Sequence, residues 1–372
     1  MIRVGIVGLG KMGLSHLAIY RVHPEVELAG VCDSSGYVLD VLGKYTGLST
    51  YRDYKVMLAQ ADLDAVVVAT PSHLHAPVVR AALNAGLHVF CEKPFCLDDE
   101  EGRALVELAQ ELQRVTQVGY HNRFVASFME LKALLDSGAV GEVTHVLAEA
   151  YGPVVLAPKG GTWRSTKAAG GGCLYDYAAH PIDLVQWFVG APAAVGGSRL
   201  NRIFSSEIDD EVASTLYYPN DTTAQVSVSW SDESERKMTT KITIWGTGGR
   251  LYADRQELRA YFRGGAALPE GYRQGWNVRY VTDLTEQPWF YLRGEEYSAQ
   301  ADAFVRRVQA AQVDGVNTFA TAAATDRILS MIAADASARP LSQVSAVVAP
   351  PLRHEFARRP LWSRLMPHRR GA

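Results

Sequence analysis

A glycine-rich turn near the amino terminus constrains the fold more than any other feature of the sequence. Residues Gly8 to Gly13 read G-L-G-K-M-G, between an apolar segment at 3–7 and a segment of helical character at 14–22. A G-x-G-x-x-G pattern is weak by itself, but in this context it predicts the first turn of a nucleotide-binding β-α-β unit. Gly8 would permit the tight turn, Gly10 would let a pyrophosphate approach the backbone, and Gly13 would let the helix pack on the strand.

The first 122 residues alternate strand-like and helix-like segments. Short apolar segments occur at 27–33, 65–70, 87–92 and 116–119, and helical patterns occur at 76–85 and 98–113. Strands that alternate with helices are typical of a parallel sheet covered on both faces. We therefore predict an α/β chain with an N-terminal Rossmann domain, a doubly wound parallel sheet, over residues 1–122.

The pattern changes after residue 122. A helix is indicated near 131–135, and alternating apolar segments follow at 143–150, 212–218, 223–230, 238–245 and 250–252. Such alternation is typical of antiparallel strands with one solvated face. We predict a C-terminal α+β domain over 123–345, built on a large, mostly antiparallel sheet and closed by helices at 299–312 and 320–336. It would bind substrate and mediate oligomerisation. Residues 346–372 are predicted to be a basic tail, either solvated or loosely docked, or else a basic amphipathic segment that contacts a membrane surface or a partner.

Composition limits the classes of partner. The formal net charge is -3 and the four cysteines are scattered without zinc-ligand spacing. No run of about 18 apolar residues and no signal peptide is visible, so we expect a cytoplasmic protein with no membrane span. The charge gives no reason to expect a nucleic-acid partner.

Asp33 indicates which dinucleotide would bind. It ends the second strand-like segment, 20 residues after Gly13 (33 − 13 = 20), where an acid accepts hydrogen bonds from the adenosine ribose. A carboxylate there repels a 2′-phosphate, and Ser34, Ser35 and Gly36 follow with no arginine to bind one. We therefore expect NAD as the cofactor, with NADP less favoured.

Two further segments carry chemistry. Lys93 follows the strand-like segment 87–92, where it could hydrogen-bond a reacting hydroxyl or simply be a surface lysine. Asp176, His180 and Asp183 have the i, i+4, i+7 spacing of one helix face, with Pro181 placing the helix start near His180. The imidazole could be a general acid/base or a core histidine bonded to an acid. We expect no metal, because no third ligand lies at suitable spacing.

Several motifs together resemble the Gfo/Idh/MocA family, named for glucose–fructose oxidoreductase and inositol 2-dehydrogenase. Each is modest alone, but their order is specific to that family. The matching segments are 8–13, Thr70-Pro71-Ser72-His73-Leu74-His75, Cys91-Glu92-Lys93-Pro94, Gly119-Tyr120-His121-Asn122-Arg123-Phe124, Trp163-Arg164, 170–183 and Thr325-Asp326-Arg327-Ile328.

The resemblance implies roles for individual residues. Lys93 matches the lysine that contacts substrate and nicotinamide, His180 the acid/base histidine, and Asp176 the aspartate that orients both. Arg123 and Arg164 match positions near the substrate. The cofactor contacts would come from Gly8, Gly10, Lys11, Met12, Gly13, Asp33, Thr70, Pro71, Ser72, His75, Glu92 and Lys93. Two positions depart from the pattern, with Ser72 where Asn is usual and Ala178 where Gly is common.

The expected function is NAD-dependent hydride transfer to or from a secondary alcohol of a sugar, cyclitol or nucleotide sugar. Two alternatives stay open from the sequence, namely a glycoside hydrolase that works by NAD-dependent oxidation and elimination, and a non-catalytic NAD-binding sensor. The resemblance implies a homodimer or homotetramer. Aromatic residues of the second domain could line a subunit interface or belong to ordinary sheet packing; they are Tyr217, Trp230, Trp245 and Trp289.

Overall fold

A computed structural model describes residues 1–158, 163–265 and 268–338 of the chain. Its first sheet is parallel throughout and has the strand order β3-β2-β1-β4-β5-β6. The strands are β1 (Ile2–Val7), β2 (Val26–Cys32), β3 (Thr50–Tyr51), β4 (Ala65–Val68), β5 (His88–Cys91) and β6 (Thr116–Val118). This is the predicted Rossmann sheet, with the chain reversing direction across the β1–β4 pair.

Five helices connect these strands. They are α1 (Lys11–Val22), α2 (Gly36–Thr46), α3 (Tyr54–Gln60), α4 (His75–Asn84) and α5 (Asp99–Glu111). Asp98 caps α5, because its carboxylate accepts hydrogen bonds from the backbone N–H groups of Glu100 and Glu101. The sequence patterns had predicted no elements for residues 36–60. The reason is local: β3 has only two residues, and Leu39 is the one fully buried side chain of α2.

The second sheet has eight strands in the order β14-β13-β12-β11-β7-β10-β9-β8. All neighbours are antiparallel except β7 and β10, so the predicted large, mostly antiparallel sheet is confirmed. The strands are β7 (Val143–Tyr151), β8 (Ala194–Asn201), β9 (Glu211–Tyr217), β10 (Thr223–Ser229), β11 (Lys241–Gly246), β12 (Gly249–Ala253), β13 (Glu257–Phe262) and β14 (Gly275–Tyr280). Three of them, β8, β13 and β14, were not predicted. Two glycines interrupt the alternation in β8, and β14 buries none of its side chains.

The remaining helices are α6 (Ala126–Asp136), α7 (Ala179–Val189), α8 (Val281–Leu284), α9 (Glu295–Gln309) and α10 (Phe319–Ala338). Helix α9 was expected to close the second domain, but its apolar side chains pack in the core of the first sheet. Tyr297, Phe304 and Val305 lie there with Ile2 and Val4 of β1. A helix pattern shows which face is apolar but not which sheet that face covers. The boundary between residues 122 and 123 therefore stays a prediction, and the basic tail at 346–372 lies outside the described residues.

The aromatic residues of the second sheet divide between its two faces. Trp230 is completely buried and its indole N–H donates to Asp210 at 2.7 Å, so it belongs to ordinary packing. Tyr217 is 45% exposed, and Trp276 and Tyr280 on the edge strand β14 are 53% and 55% exposed. One face of this sheet is thus a core face and the other carries exposed aromatic rings.

No helix among the described residues is long and apolar enough to cross a membrane. All four cysteines (Cys32, Cys91, Cys96 and Cys173) are buried free thiols.

Candidate active site

The glycine turn lies at the carboxyl end of β1, at the point where the sheet changes direction. Gly8 has φ +93°, and a Cβ there would lie 2.6 Å from the carbonyl oxygen of Ala69. A Cβ on Gly13 would lie 1.8 Å from the carbonyl oxygen of Gly8, whereas one on Gly10 would meet no atom within 4 Å. Two glycines are therefore fixed by close packing, and the third leaves open space beside the start of α1. Because no side chain caps α1, its first N–H groups point into that space, which fits a pyrophosphate.

Asp33 is bound to the same turn. One carboxylate oxygen accepts from the backbone N–H of Leu9 at 2.6 Å, and the other accepts from Ser35 N–H at 2.8 Å. A carboxylate between the glycine turn and the start of α2 has the placement expected for an adenosine ribose contact. The residues present therefore fit the adenosine end of NAD.

Arg52 corrects one step of the sequence argument about the cofactor. The three residues directly after Asp33 include no arginine, but the fold brings Arg52 to that position. A Cβ built on Gly36 would lie 2.6 Å from Nη2 of Arg52, so the guanidinium covers the start of α2. The preference for NAD over NADP then rests on the Asp33 carboxylate and not on the absence of an arginine.

The segments after β4 and β5 are bonded to each other through His75. Its Nδ1 lies 2.8 Å from the carbonyl oxygen of Pro94, and its Nε2 lies 3.0 Å from that of Thr70. Burial lowers the pKa of His75, so a neutral ring donates to one of the two carbonyls. Ser72 is buried, and a Cβ on Gly170 would lie 3.1 Å from its Cβ. His75 and Ser72 thus lie in the segment that follows β4, and their direct contact with a cofactor stays a prediction.

Glu92 is buried and bonded to α1. Its carboxylate lies 2.7 Å from Nε2 of His16 and also accepts from the backbone N–H of Lys93 at 3.3 Å. Burial raises the pKa of Glu92, but the bond to His16 and the charge of Lys93 outweigh burial and lower it. Glu92 thus holds the Lys93 turn against the helix that begins at the glycine turn.

Lys93 and Asp176 meet across the two sheets. The Lys93 ammonium donates to the backbone carbonyl and to a carboxylate oxygen of Asp176, both at 2.8 Å. Arg164 Nε donates to the other carboxylate oxygen at 2.8 Å. Burial raises the pKa of Asp176, but the two cations more than compensate and hold it below its usual value. The predicted catalytic lysine and aspartate are therefore in direct contact, beside an arginine whose side chain is 46% exposed.

His180 lies one turn further along the same segment. Residues 174–178 form a π-helical turn, and α7 begins at Ala179, as Pro181 had indicated. His180 is 4% exposed, and its Nδ1 is buried with no hydrogen-bond partner among the described residues. Burial lowers the pKa of His180 well below its usual value, and the charges of Lys93 and Arg255 lower it further. A buried neutral imidazole near the lysine can accept a proton.

Asp183 and Arg123 are bonded to each other rather than to Lys93 and Asp176. Arg123 is 3% exposed, and its guanidinium donates to both carboxylate oxygens of Asp183, at 2.6 and 2.8 Å, and to Gln186 at 2.8 Å. Thr325 on α10 donates to the same carboxylate at 3.2 Å. This geometry does not bring Arg123 to the Lys93–Asp176 pair. Its guanidinium forms a buried ion pair with α7, and its contact with substrate stays a prediction.

Two residues near His180 were not predicted as site residues. His121 lies inside the family motif Gly119 to Phe124, and its ring centroid is 4.9 Å from that of His180. Arg255, in the turn after β12, donates to Nε2 of His121 at 3.2 Å. The pattern Gly119 to Phe124 could have suggested His121 as a candidate, but no local signal marks Arg255.

A surface cavity of about 350 Å³ lies beside Ile2 and His88, where β1 and β5 begin, so it is at the sheet edge opposite the glycine turn. Over the described parts of the chain, no group of three or more His, Cys, Asp or Glu side chains could hold a metal ion.

Comparison with known proteins agrees with this arrangement. Residues 2–120 match the oxidoreductase family with an NAD-binding Rossmann fold, and residues 128–252 match the GFO/IDH/MocA C-terminal domain. The chain belongs to the Gfo/Idh/MocA family. Its N-terminal sheet is the NAD-binding Rossmann domain of that family. The motifs at 70–75, 91–94, 163–164 and 170–183 fall within the matched segments, whereas residues 121–124 lie between them and 325–328 lie beyond residue 252.

Named relatives include sugar and cyclitol dehydrogenases. The chain is 31% identical over 194 residues to D-glucoside 3-dehydrogenase of Escherichia coli (strain K12), covering 52% of this chain and 55% of that protein. It is 29% identical over 192 residues to inositol 2-dehydrogenase of Salmonella typhimurium, covering 50% and 54%. The chain thus spans about half the length of such curated relatives. The solved structure of levoglucosan dehydrogenase in complex with NADH shares the fold, with a TM-score of 0.81, 22% identity, and coverage of 91% of this chain and 97% of that one.

Proposed function

We propose that this Gfo/Idh/MocA protein is an NAD-dependent oxidoreductase acting on a secondary alcohol of a sugar, cyclitol or nucleotide sugar. The observation that supports it is the contact of Lys93 with Asp176, beside a buried His180, near the carboxyl end of β5. Those three groups can hold and deprotonate a hydroxyl. When bound, NAD supplies a hydride acceptor at its nicotinamide.

The residues divide the chemistry as follows. The Lys93 ammonium donates a hydrogen bond to the reacting oxygen. His180, kept neutral by burial, accepts the hydroxyl proton in the oxidation direction and returns it in the reduction direction. Asp176 accepts from Lys93 and Arg164 together, and so fixes where the ammonium points.

Arg164 remains the proposed substrate contact, because its side chain is 46% exposed at the edge of the Lys93–Asp176 pair. We assign Arg123 a supporting role, since its guanidinium is buried on Asp183. Arg123 would hold α7, and with it His180, rather than touch substrate.

Assembly into a homodimer or homotetramer is part of the proposal. The exposed aromatic rings Tyr217, Trp276 and Tyr280 on the second sheet support it, because such residues are enriched at subunit interfaces. Light scattering of the purified protein tests it, and a monomer at micromolar concentration would contradict it. The cytoplasmic location stays a prediction from the sequence.

The test of the reaction is NADH formation over a panel of cyclitols, free sugars, sugar phosphates and nucleotide sugars, with NAD and NADP compared. Lys93→Ala should lower turnover by roughly 10²- to 10³-fold, the usual cost of removing one hydrogen-bond donor to the reacting oxygen. Lys241→Ala is the matched control, because that lysine is also half-buried and ion-paired, 3.3 Å from Glu235, but lies on the second sheet away from the site.

Turnover that survives Lys93→Ala would contradict the assigned role. No turnover by the wild-type protein on any compound, with NAD bound, would contradict the dehydrogenase. Glycoside cleavage without net NADH would then support the elimination hydrolase, and its absence would support the sensor.

A further inference from the structure

His180 is enclosed by groups from four parts of the chain. Lys93 faces it from the turn after β5, Tyr120 and His121 from the segment after β6, and Arg255 from the turn after β12. Asp176 and Asp183 lie on its own segment, and each carboxylate is bonded to other cations, Asp176 to Lys93 and Arg164 and Asp183 to Arg123. The ring of His121 therefore packs against the imidazole, and the two charges that lower the pKa of His180, those of Lys93 and Arg255, are both positive.

His121 is held on several sides. Its ring stacks on Tyr297 of α9, with centroids 4.7 Å apart and an interplanar angle of 21°. Its other neighbour is His180, at 4.9 Å and 63°, an edge-to-face arrangement. Nε2 of His121 accepts from Arg255 Nη1 at 3.2 Å, so that nitrogen carries no proton and the ring proton is on Nδ1. His121 is a neutral ring in a fixed plane.

Arg255 is fixed in turn by Glu296. Its other terminal nitrogen is ion-paired with the Glu296 carboxylate, whose side chain is 3% exposed. Glu296 begins α9, the helix that packs on the first sheet and also carries Tyr297. Arg255, in the turn after β12, is thereby bonded both to Glu296 on α9 and to the ring of His121 beside His180.

On the basis of the oxidoreductase function proposed above, we propose that Arg255 is a positioning residue of the reaction. It fixes the ring of His121, which in turn fixes the plane of His180, and its charge keeps His180 unprotonated and able to accept the hydroxyl proton. Arg255 itself touches neither substrate nor cofactor in this account.

The sign of the effect follows from the charge. A cation near His180 disfavours the imidazolium, so removing it raises the pKa of His180. A protonated His180 cannot accept a proton, so the rate of alcohol oxidation falls on the acidic side of that pKa. Removing the charge of Arg255 should therefore move the acidic limb of the rate profile to higher pH.

The test compares four proteins by the dependence of kcat/KM for oxidation on pH. Arg255→Gln with Glu296→Gln removes both charges of the buried pair and leaves neither unpaired. Arg255→Lys keeps the charge and one donor, and should retain the wild-type profile. Arg259→Gln is the control, because this exposed arginine of β13 is paired with Glu257 and lies outside the site. A doubly substituted protein with the wild-type profile overturns the proposal, as does an equal shift in the Arg259→Gln control.

A second readout does not depend on turnover. Imidazole ¹⁵N spectra of histidine-labelled protein report the protonation and tautomer of His121 and His180 directly, with His180→Gln used to assign the signals. We expect His121 to carry its proton on Nδ1, and His180 to titrate at higher pH in the double variant. An unchanged His180 titration overturns the inference. A shifted titration in a protein that turns over no compound supports the coupling of Arg255 to His180 and contradicts the proposed function.

Discussion

Asp176 and Asp183 are seven residues apart, both are buried, and both are bonded to a cation, yet they serve different parts of the molecule. Asp176 is bonded to Lys93 and Arg164, and these two cations hold its pKa below the usual value. Burial raises the pKa of Asp183 because a single guanidinium, that of Arg123, does not offset the loss of solvent. The difference teaches that a shared helix face does not define a site. The cation that binds the carboxylate from another element decides whether that carboxylate takes part in the reaction or stabilises the fold.

The largest effect should come from Asp176→Asn. The amide keeps the size of the side chain but loses the charge that orients Lys93, so we expect kcat to fall by roughly 10²- to 10³-fold, as for the loss of an aligned donor to the reacting oxygen. Thermal unfolding should shift by only a few degrees, because Lys93 and Arg164 both retain some access to solvent. Steady-state kinetics and a melting curve on the same sample check this, and near-wild-type kcat would place Asp176 outside the chemistry.

Asp183→Asn should lower the unfolding free energy and leave turnover nearly unchanged, the reverse of what we expect for Asp176→Asn. The amide NH2 would replace one of the two oxygens that accept from the buried guanidinium of Arg123, and a buried donor left without its acceptor costs about 1–3 kcal/mol of unfolding free energy. The protein that stays folded should turn over within a few-fold of the wild type, because Asp183 touches no reacting group. Denaturant unfolding measures the first quantity and kinetics the second. A stable variant with no activity would reverse the comparison.

A double substitution sharpens the same point. Arg123→Met with Asp183→Leu removes both charges, and exchanging a buried ion pair for apolar side chains is often neutral or stabilising. We expect the double variant to recover most of the unfolding free energy lost in Asp183→Asn. If it is no more stable than Asp183→Asn, the pair contributes specific bonds, including the one from Thr325, that packing does not replace.

The smallest effect concerns pH. A carboxyl whose folded pKa is raised contributes stability that is lost as pH rises from its unfolded value, about 3.9, toward its folded one. Wild type should therefore lose unfolding free energy relative to Asp183→Asn as pH rises above about 4. Asp176 has a lowered folded pKa, so its contribution is lost only as pH falls below about 4, and Asp176→Asn should run parallel to wild type above that value. If unfolding free energy depends on pH in the same way in wild type, Asp183→Asn and Asp176→Asn, the folded pKa values of the two aspartates are not shifted in opposite directions.

The sequence predicted those parts of the site that follow strands closely in the chain. Gly8, Gly10, Gly13 and Asp33 lie on one β-α-β unit, and Lys93 directly follows β5, so spacing along the chain is enough to place them. Asp176 and His180 were found because they share one segment. The same spacing grouped Asp183 with these two residues. A shared helix face does not show that Arg123 packs against Asp183.

What the sequence did not reveal depends on contacts between distant elements. Arg52 reaches Gly36 only because β3 pairs with β2, and Arg255 reaches His121 only because the turn after β12 lies against α9. Helix α9 itself was assigned to the wrong sheet for this reason. Local patterns give the elements and their apolar faces, but they do not say which distant side chain completes a buried polar group.

The most direct test of the account is the fate of the hydrogen on the reacting carbon. A substrate found in the panel would be labelled with deuterium at that carbon, and the NADH formed would be examined by mass spectrometry and NMR. The account predicts one deuterium on the nicotinamide ring of NADH formed by the wild-type protein and almost no NADH with Lys93→Ala. Product formed while the NADH carries no deuterium would contradict direct hydride transfer at the site of Lys93, Asp176 and His180.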